Sequence, residues 1–318
     1  MAGSGTVIVG VDENGLGPRL GPLVVTAITV RATGPGVRLA QRAPGRRFAR
    51  VGDSKALVSY KDSTLGEAWA RVLLGRLGRD VSTPAGTVHS LSLDERAHLR
   101  ALCPGAHEAQ CWGDAGEGHG ADPALLRGVE KDLARLEALG IVPVDVRSVI
   151  VCTRRLNDAA AAGTSRFDVD LHAMERLVLA ARETAGEELH ATCGKVGGYH
   201  RYANAFGPLA GRLHVTLVEG RKRSEYRFPG LGNVAFLRDA DASHLVVAMA
   251  SLVGKWLRDV LMARVIRYHR ADDAALPEAS GYHDPVTARF VDGSALSRKK
   301  KQLPDECFER RATSRGAP

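Results

Sequence analysis

The chain opens on two apolar runs separated by a short polar loop. Val7, Ile8, Val9 and Val11 make the first run, and Leu23 to Val30 make the second. Their enrichment in Val, Ile and Thr predicts strands over residues 5–12 and 22–31. The loop between them carries Gly15, Gly17, Pro18, Gly21 and Pro22, and so short a connection predicts an antiparallel hairpin. Residues 32–50, rich in Gly, Arg and Pro, read as loop. A helix is predicted from about Ser63 to Leu77, and residues 80–125 show no clear period. Residues 123–140 form an amphipathic helix, with Leu125, Val129, Leu133, Leu136 and Leu139 on one side and Gly140 at its end.

Further strands are predicted over 144–152, 188–198 and 234–241, the last ending in acids. A hairpin is predicted over 212–230 and a helix over 167–186. The strongest helical pattern covers 243–268: Leu245, Ala248, Leu252, Trp256 and Val260 keep helical spacing, and Ser243 is placed to cap it. Early strands followed by mixed strands and helices predict an α/β fold with a mixed sheet.

Composition narrows the classes. A length of 318 residues allows one large domain or two ordinary ones, and 44% hydrophobic residues suffice for a core. The net charge of +8 favours an anionic partner, of which nucleic acid is the commonest. Five cysteines without any C-x-x-C spacing argue against a zinc knuckle and a disulfide scaffold. Neither a signal peptide nor a membrane span is expected, which points to the cytoplasm.

The chemistry concentrates at carboxylates. Asp12 and Glu13 end the first strand and Asp241 ends a later one. Acids far apart in sequence meet when the strand ends that carry them share one edge of a sheet. An all-oxygen set suits Mg²⁺ or Mn²⁺, and a pair of such ions serves phosphoryl transfer. Spacing alone favours two acids that merely solvate a turn. A dinucleotide loop fits poorly: GLGPRLG is one residue too long for that fingerprint, and two carboxylates would face the pyrophosphate.

Four blocks in order resemble the type 2 ribonuclease H family. GVDENGLGP (10–18) is similar to its G-[IV]-D-E-[AV]-G-R-G-P signature, and GDSKAL (52–57) to its D-S-K-K-L segment. DADASHLVVAMASLVGKWLRD (239–259) resembles its G-D…A-A-S-I block, in a register fixed by Ala250, Ser251, Lys255, Arg258 and Asp259. SGYHDPVTARF (280–290) resembles its H-K-G-Y-P-T stretch. The resemblance implies a ribonuclease H-like mixed sheet flanked by helices. The implied activity is an endonuclease that cuts RNA in RNA–DNA hybrids, or at ribonucleotides embedded in duplex DNA, with two divalent cations, Mg²⁺ or Mn²⁺.

By that resemblance Asp12, Glu13 and Asp241 are the first, second and fourth metal-holding acids. Gly15, Leu16 and Gly17 read the 2′-hydroxyl, Tyr282 stacks on the sugar at the junction, and Lys55 contacts phosphate or supports the site. The third acid is replaced: HATCGKVGG puts Cys193 on its position, and a soft, mostly protonated thiol is a poor Mg²⁺ ligand. Asp239 and Glu219 are candidates to fill the gap, and Cys193 is alternatively a small buried residue. Leu16 replaces the arginine of G-R-G. The implied organisation is a catalytic domain over 1–270, with insertions at about 80–140 and 196–233, and a substrate-contacting extension over 271–318. The basic run Arg221, Lys222 and Arg223 is a candidate phosphate track, and the run 298–301 reads as a solvated face. The alternative function is a relative that binds nucleic acid without cleaving it.

Overall fold

The computed structural model describes residues 5–45, 48–52, 57–59, 61–103, 105, 108–197 and 199–311. Strands β1 (Thr6–Asn14), β2 (Leu23–Ala32), β3 (Ile141–Val151), β4 (Leu189–Gly194), β5 (Val215–Glu219), β6 (Arg223–Phe228) and β7 (Gly232–Leu237) form one sheet. Its order is β3-β2-β1-β4-β7-β6-β5. The β1–β2 and β2–β3 pairs are antiparallel, β1–β4 and β4–β7 are parallel, and β7–β6 and β6–β5 are antiparallel again. The expected α/β class with a mixed sheet is therefore what the chain adopts.

The described helices are α1 (Pro35–Ala40), α2 (Thr64–Arg76), α3 (Pro84–Leu91), α4 (Arg96–Arg100), α5 (Glu108–Trp112), α6 (Pro123–Ala138), α7 (Thr153–Ala161), α8 (Arg166–Ala185), α9 (Ala240–Ser243), α10 (Leu245–Arg270), α11 (Pro285–Gly293), α12 (Ala295–Lys300) and α13 (Asp305–Phe308). They cover both faces of the sheet. Side chains alternate along β1, so Ile8 joins α10, α2 and α6 on one face, while Val7, Val9 and Val11 join α8 on the other. With both faces covered, β1 and β2 read as continuous apolar runs. Helix α10 lies directly on β1. A Cβ built on Gly10 would stand 2.4 Å from the Val246 and Val247 backbone, so only a glycine admits this approach.

Several expectations change. Residues 80–125 hold three short helices, whose Leu91, Leu99 and Trp112 are buried in the core. Elements of five to eight residues are too short to show a period. Helix α1 likewise lies inside the expected loop 32–50. Strand β7 stops at Leu237, so Asp241 sits on the short turn α9 rather than on a strand end. Ser243 belongs to that turn, and His244 takes the N-cap position of α10. The segment 196–233 adds β5 and β6 to the sheet, with Tyr202 stacked on Phe236 at 3.9 Å between ring centroids.

The C-terminal segment packs back on the body. Leu20, Met262, Phe290 and Phe308 share a third apolar cluster. The basic run there is largely committed to this packing: Arg298 lies over the Phe308 ring at 4.4 Å, and Lys300 and Lys301 pair with Asp272. No helix among the described residues is long and apolar enough to cross a membrane.

Candidate active site

Because β1, β4 and β7 run parallel, their C-terminal ends open on one edge of the sheet. A cleft lies there, lined by Asp12 and Glu13 from β1, Gly194 from β4 and Asp241 from α9, and its far wall is made by Lys255 and Tyr282. Asp12 is buried at 8% exposure and Glu13 is half-buried. A Cβ built on Gly194 would meet Asp12 Oδ1 at 2.9 Å and Glu13 Oε2 at 3.4 Å, so the two carboxylates converge over this glycine. Asp241 Oδ1 accepts from the Ala242 amide at 3.0 Å.

The glycine loop is shaped from behind. Gly15 has φ +90°, and a Cβ there would stand 2.5 Å from Arg258 Nε, so both conformation and space demand glycine. Arg310, itself buried, donates from Nη1 to the Gly15 carbonyl at 2.7 Å and the Leu16 carbonyl at 3.2 Å. Its Nε and Nη2 reach the Gly21 carbonyl at 2.8 and 2.7 Å. Arg19 and Leu20 donate their amides to the Gly281 carbonyl at 2.8 and 3.0 Å, which sets Tyr282 beside the loop. The Arg258 guanidinium lies 4.8 Å from the Tyr282 ring centroid, and its Nη2 donates to the Ser280 carbonyl at 3.1 Å. Tyr282 is nonetheless 47% exposed. A Cβ on Gly17 would meet nothing within 4 Å among the described residues.

The structure thus brings Asp12, Glu13, Gly15, Leu16, Gly17, Asp241 and Tyr282 to one cleft. Lys55 lies outside the described residues. Cys193 needs correction. It pairs with Val11 in the ladder and is wholly buried on the α8 face, where burial raises its thiol pKa far above the ordinary value. One residue on, Asp12 stands beside Gly194, so Gly194 occupies the place next to the first acid and Cys193 turns away from it. Glu219 accepts from the Tyr226 hydroxyl at 2.5 Å and does not line the cleft. Asp239 does line it, but its side chain is 78% exposed and pairs with Arg238.

Four residues the sequence reading left without a role complete the picture. Lys255 Nζ donates to the Val58 carbonyl at 3.1 Å across the cleft wall. Asp259 lines the same wall, with its carboxyl pKa raised by burial. Arg310 fixes the loop. Asp170, on the first turns of α8, is completely buried, and both its carboxyl oxygens lack a hydrogen-bond partner among the described residues. Burial and then the charges of Glu13 and Asp12 push its pKa well up. The signal for Asp170 was present in the helical period, since it shares the apolar stripe of Met174 and Leu177.

Among the described residues, no three His, Cys, Asp or Glu side chains already stand as a cage for an ion. The donor chemistry nonetheless fits a hard divalent cation, because the acids offer oxygen alone. A buried carboxylate without a partner is the kind of group that an ion would satisfy.

No family model and no curated protein matches the sequence. Solved structures do. The chain is similar to RNase HII from Archaeoglobus fulgidus in its complex with PCNA, at 15% identity and a TM-score of 0.44, over 98% of each chain. It is similar to the ribonuclease H2 from Pyrococcus horikoshii at 14% identity and a TM-score of 0.43, over 95% of this chain and 92% of that one. It is also similar to Bst-RNase HIII in complex with Mn²⁺ at 13% identity and a TM-score of 0.45, over 96% of this chain and 66% of that one. At such identities and scores the side chains of the cleft have to carry the functional reading.

Proposed function

We propose that this protein is a metal-dependent endonuclease that cuts RNA in RNA–DNA hybrids or at ribonucleotides embedded in duplex DNA. The observation that carries the reading is the meeting of Asp12, Glu13 and Asp241 with the Gly15–Gly17 loop and Tyr282 in one cleft. Asp12, Glu13 and Asp241 would hold divalent cations. When bound, such ions activate water and stabilise the charge on attacking and leaving oxygens.

The remaining residues select and place the substrate. Among the described residues Gly17 has no neighbour where a side chain would be, so a nucleic-acid backbone can come close to the loop amides. A 2′-hydroxyl read there separates RNA from DNA. Tyr282 offers a ring, steadied by Arg258, on which a sugar or base stacks. Lys255 brings positive charge to the cleft wall. The segment 271–318 supplies Tyr282 and, through Arg310, the shape of the loop, which supports its assignment as a substrate-contacting extension of the 1–270 body.

One observation favours a second reading, a relative that binds nucleic acid without cutting it: no carboxylate extends from Gly194 beside Asp12. Incubation with a DNA duplex carrying one ribonucleotide, with Mg²⁺ and Mn²⁺ in separate arms and an all-DNA control, decides between them. Ion-dependent cuts at the ribonucleotide, lost in Asp241→Asn, are expected. Salt-sensitive binding with no cut under either ion would establish the second reading, and cutting by Asp241→Asn would remove Asp241 from the metal site.

A further inference from the structure

Two divalent ions bring four positive charges, whereas Asp12, Glu13 and Asp241 supply three negative ones; of the other acids lining the cleft, Asp239 is paired with Arg238 and Asp259 with Arg258. The ladder position beside Asp12 is Gly194, which has no side chain to add a fourth. The space over Gly194 is bounded by Asp12 Oδ1 and Glu13 Oε2, and the other face of the same strand ends is covered by α8.

Helix α8 is positioned there by strong local signals. A capping box joins Ser165 and Asp168, with the Ser165 hydroxyl accepting from the Asp168 amide at 3.1 Å, and Gly186 closes the helix at φ 73°. The neighbours of Asp170 on the inner face, Leu171, Met174 and Leu177, are buried against β1 and β4. Asp170 is the exception in that stripe. It is 0% exposed, and among the described residues neither carboxyl oxygen has a hydrogen-bond partner. Nothing described in the fold makes use of it, and a buried acid with no partner is costly to keep. Elsewhere on this face buried acids are satisfied, as Glu175 is by the Gly207 and Leu209 amides at 3.1 and 2.8 Å.

We propose that Asp170 is a cation-holding carboxylate of this cleft, delivered from helix α8 in place of the side chain that Gly194 lacks on strand β4. The inference rests on the reading that the cleft binds divalent cations. It raises the carboxylates assigned to the cations from three to four and gives a use to the unpartnered buried acid. It also makes the absence of an acid on β4 a relocation of charge between neighbouring elements.

The test measures Mn²⁺ binding by calorimetry, and the melting temperature with and without Mn²⁺, on the full chain as wild type, Asp12→Asn, Asp170→Asn and Asp170→Asn with Gly194→Asp. Asp170→Asn is expected to melt, without metal, at or above the wild-type temperature, because it removes a buried acid that lies near the charges of Glu13 and Asp12. Its Mn²⁺ affinity should fall at least about tenfold, as disturbed metal sites do, and the Mn²⁺-induced rise in melting temperature should shrink with it. Gly194→Asp in that background should recover part of the loss, since only the mobile ends of Asp12 and Glu13 crowd the new side chain. Wild-type affinity in Asp170→Asn, with Asp12→Asn impaired, overturns the role of Asp170 and leaves the cation cleft standing. An Asp170→Asn protein that melts lower or does not fold makes Asp170 a structural residue and overturns the proposal. Absence of Mn²⁺ binding in wild type, or full affinity in Asp12→Asn, overturns the cation reading itself.

Discussion

At the scale of single residues, one ladder position separates a ligand from a core residue. Side chains on a strand alternate faces, so a shift of one residue sends a carboxylate to the opposite side of the sheet. Cys193 pairs with Val11 and faces α8, and the neighbouring Gly194 faces Asp12. An acid at residue 193 would add a second buried carboxyl near Asp170 and should therefore not help the site. Cys193→Asp is expected to destabilise the protein by several kcal/mol, on the order of the cost of burying an unpaired polar group, with no gain in Mn²⁺ affinity; urea unfolding and calorimetry on the same sample check both. Asp12 and Glu13 were legible because GVDENGLGP resembles a family signature; their place at the end of an apolar run did not by itself separate them from acids that solvate a turn. Gly194 was not, because HATCGKVGG contains no acid and only the parallel pairing with β1 shows which residue lies beside Asp12.

At the scale of elements, short segments are held by contacts made far along the chain. His269 near the end of α10 is fully buried, with Nδ1 3.0 Å from Ser297 Oγ on α12 and Nε2 3.0 Å from Gln110 Oε1 on α5. Burial first, then Lys301 and Arg298, lower its pKa to about 4, against a smaller opposing effect of Asp272. The folded state therefore keeps this imidazole neutral where the unfolded chain, with an ordinary value near 6.5, takes up a proton. Stability from this group is complete above about pH 6.5 and is lost as pH falls towards 4. The loss should reach up to about 3 kcal/mol. His269→Gln should start less stable at pH 7 and lose less between pH 7 and 4.5, as read by denaturant unfolding at the two pH values; an unchanged pH slope would refute the assignment. The helices α3, α4 and α5 were illegible in sequence for a related reason. Each is short enough to depend on the core it touches rather than on its own periodicity.

At the scale of the whole molecule, the two ends of the chain build one wall of the cleft. Arg310 reaches the carbonyls of Gly15, Leu16 and Gly21 across nearly the full sequence. Its replacement leaves buried carbonyls unpaired, at about 1–3 kcal/mol each. Arg310→Met is expected to lower stability by several kcal/mol and to weaken binding of a ribonucleotide-containing duplex more than it weakens Mn²⁺ binding. Duplex titration and calorimetry read the two separately, and equal losses in both would deny Arg310 a specific hold on the loop. The basic runs divide at this scale too. Arg298, Lys300 and Lys301 are engaged with Phe308 and Asp272, while Arg221 and Lys222 stand exposed at the turn between β5 and β6.

The sequence by itself determined the long elements and the first acids. Strands β1 and β2, helix α8 and helix α10 follow from runs and periods long enough to be read without neighbours. The GVDENGLGP and GYHDP blocks marked the loop and Tyr282. Only the tertiary structure decided which residue stands beside Asp12, that Asp241 rides on a turn, and that Asp170 lies buried behind the cleft. Those depend on strand register and on the packing of one helix against two strands. The helical period puts Asp170 on the inner face of α8, but which strand ends that face covers is set, like the register, by contacts between residues distant along the chain.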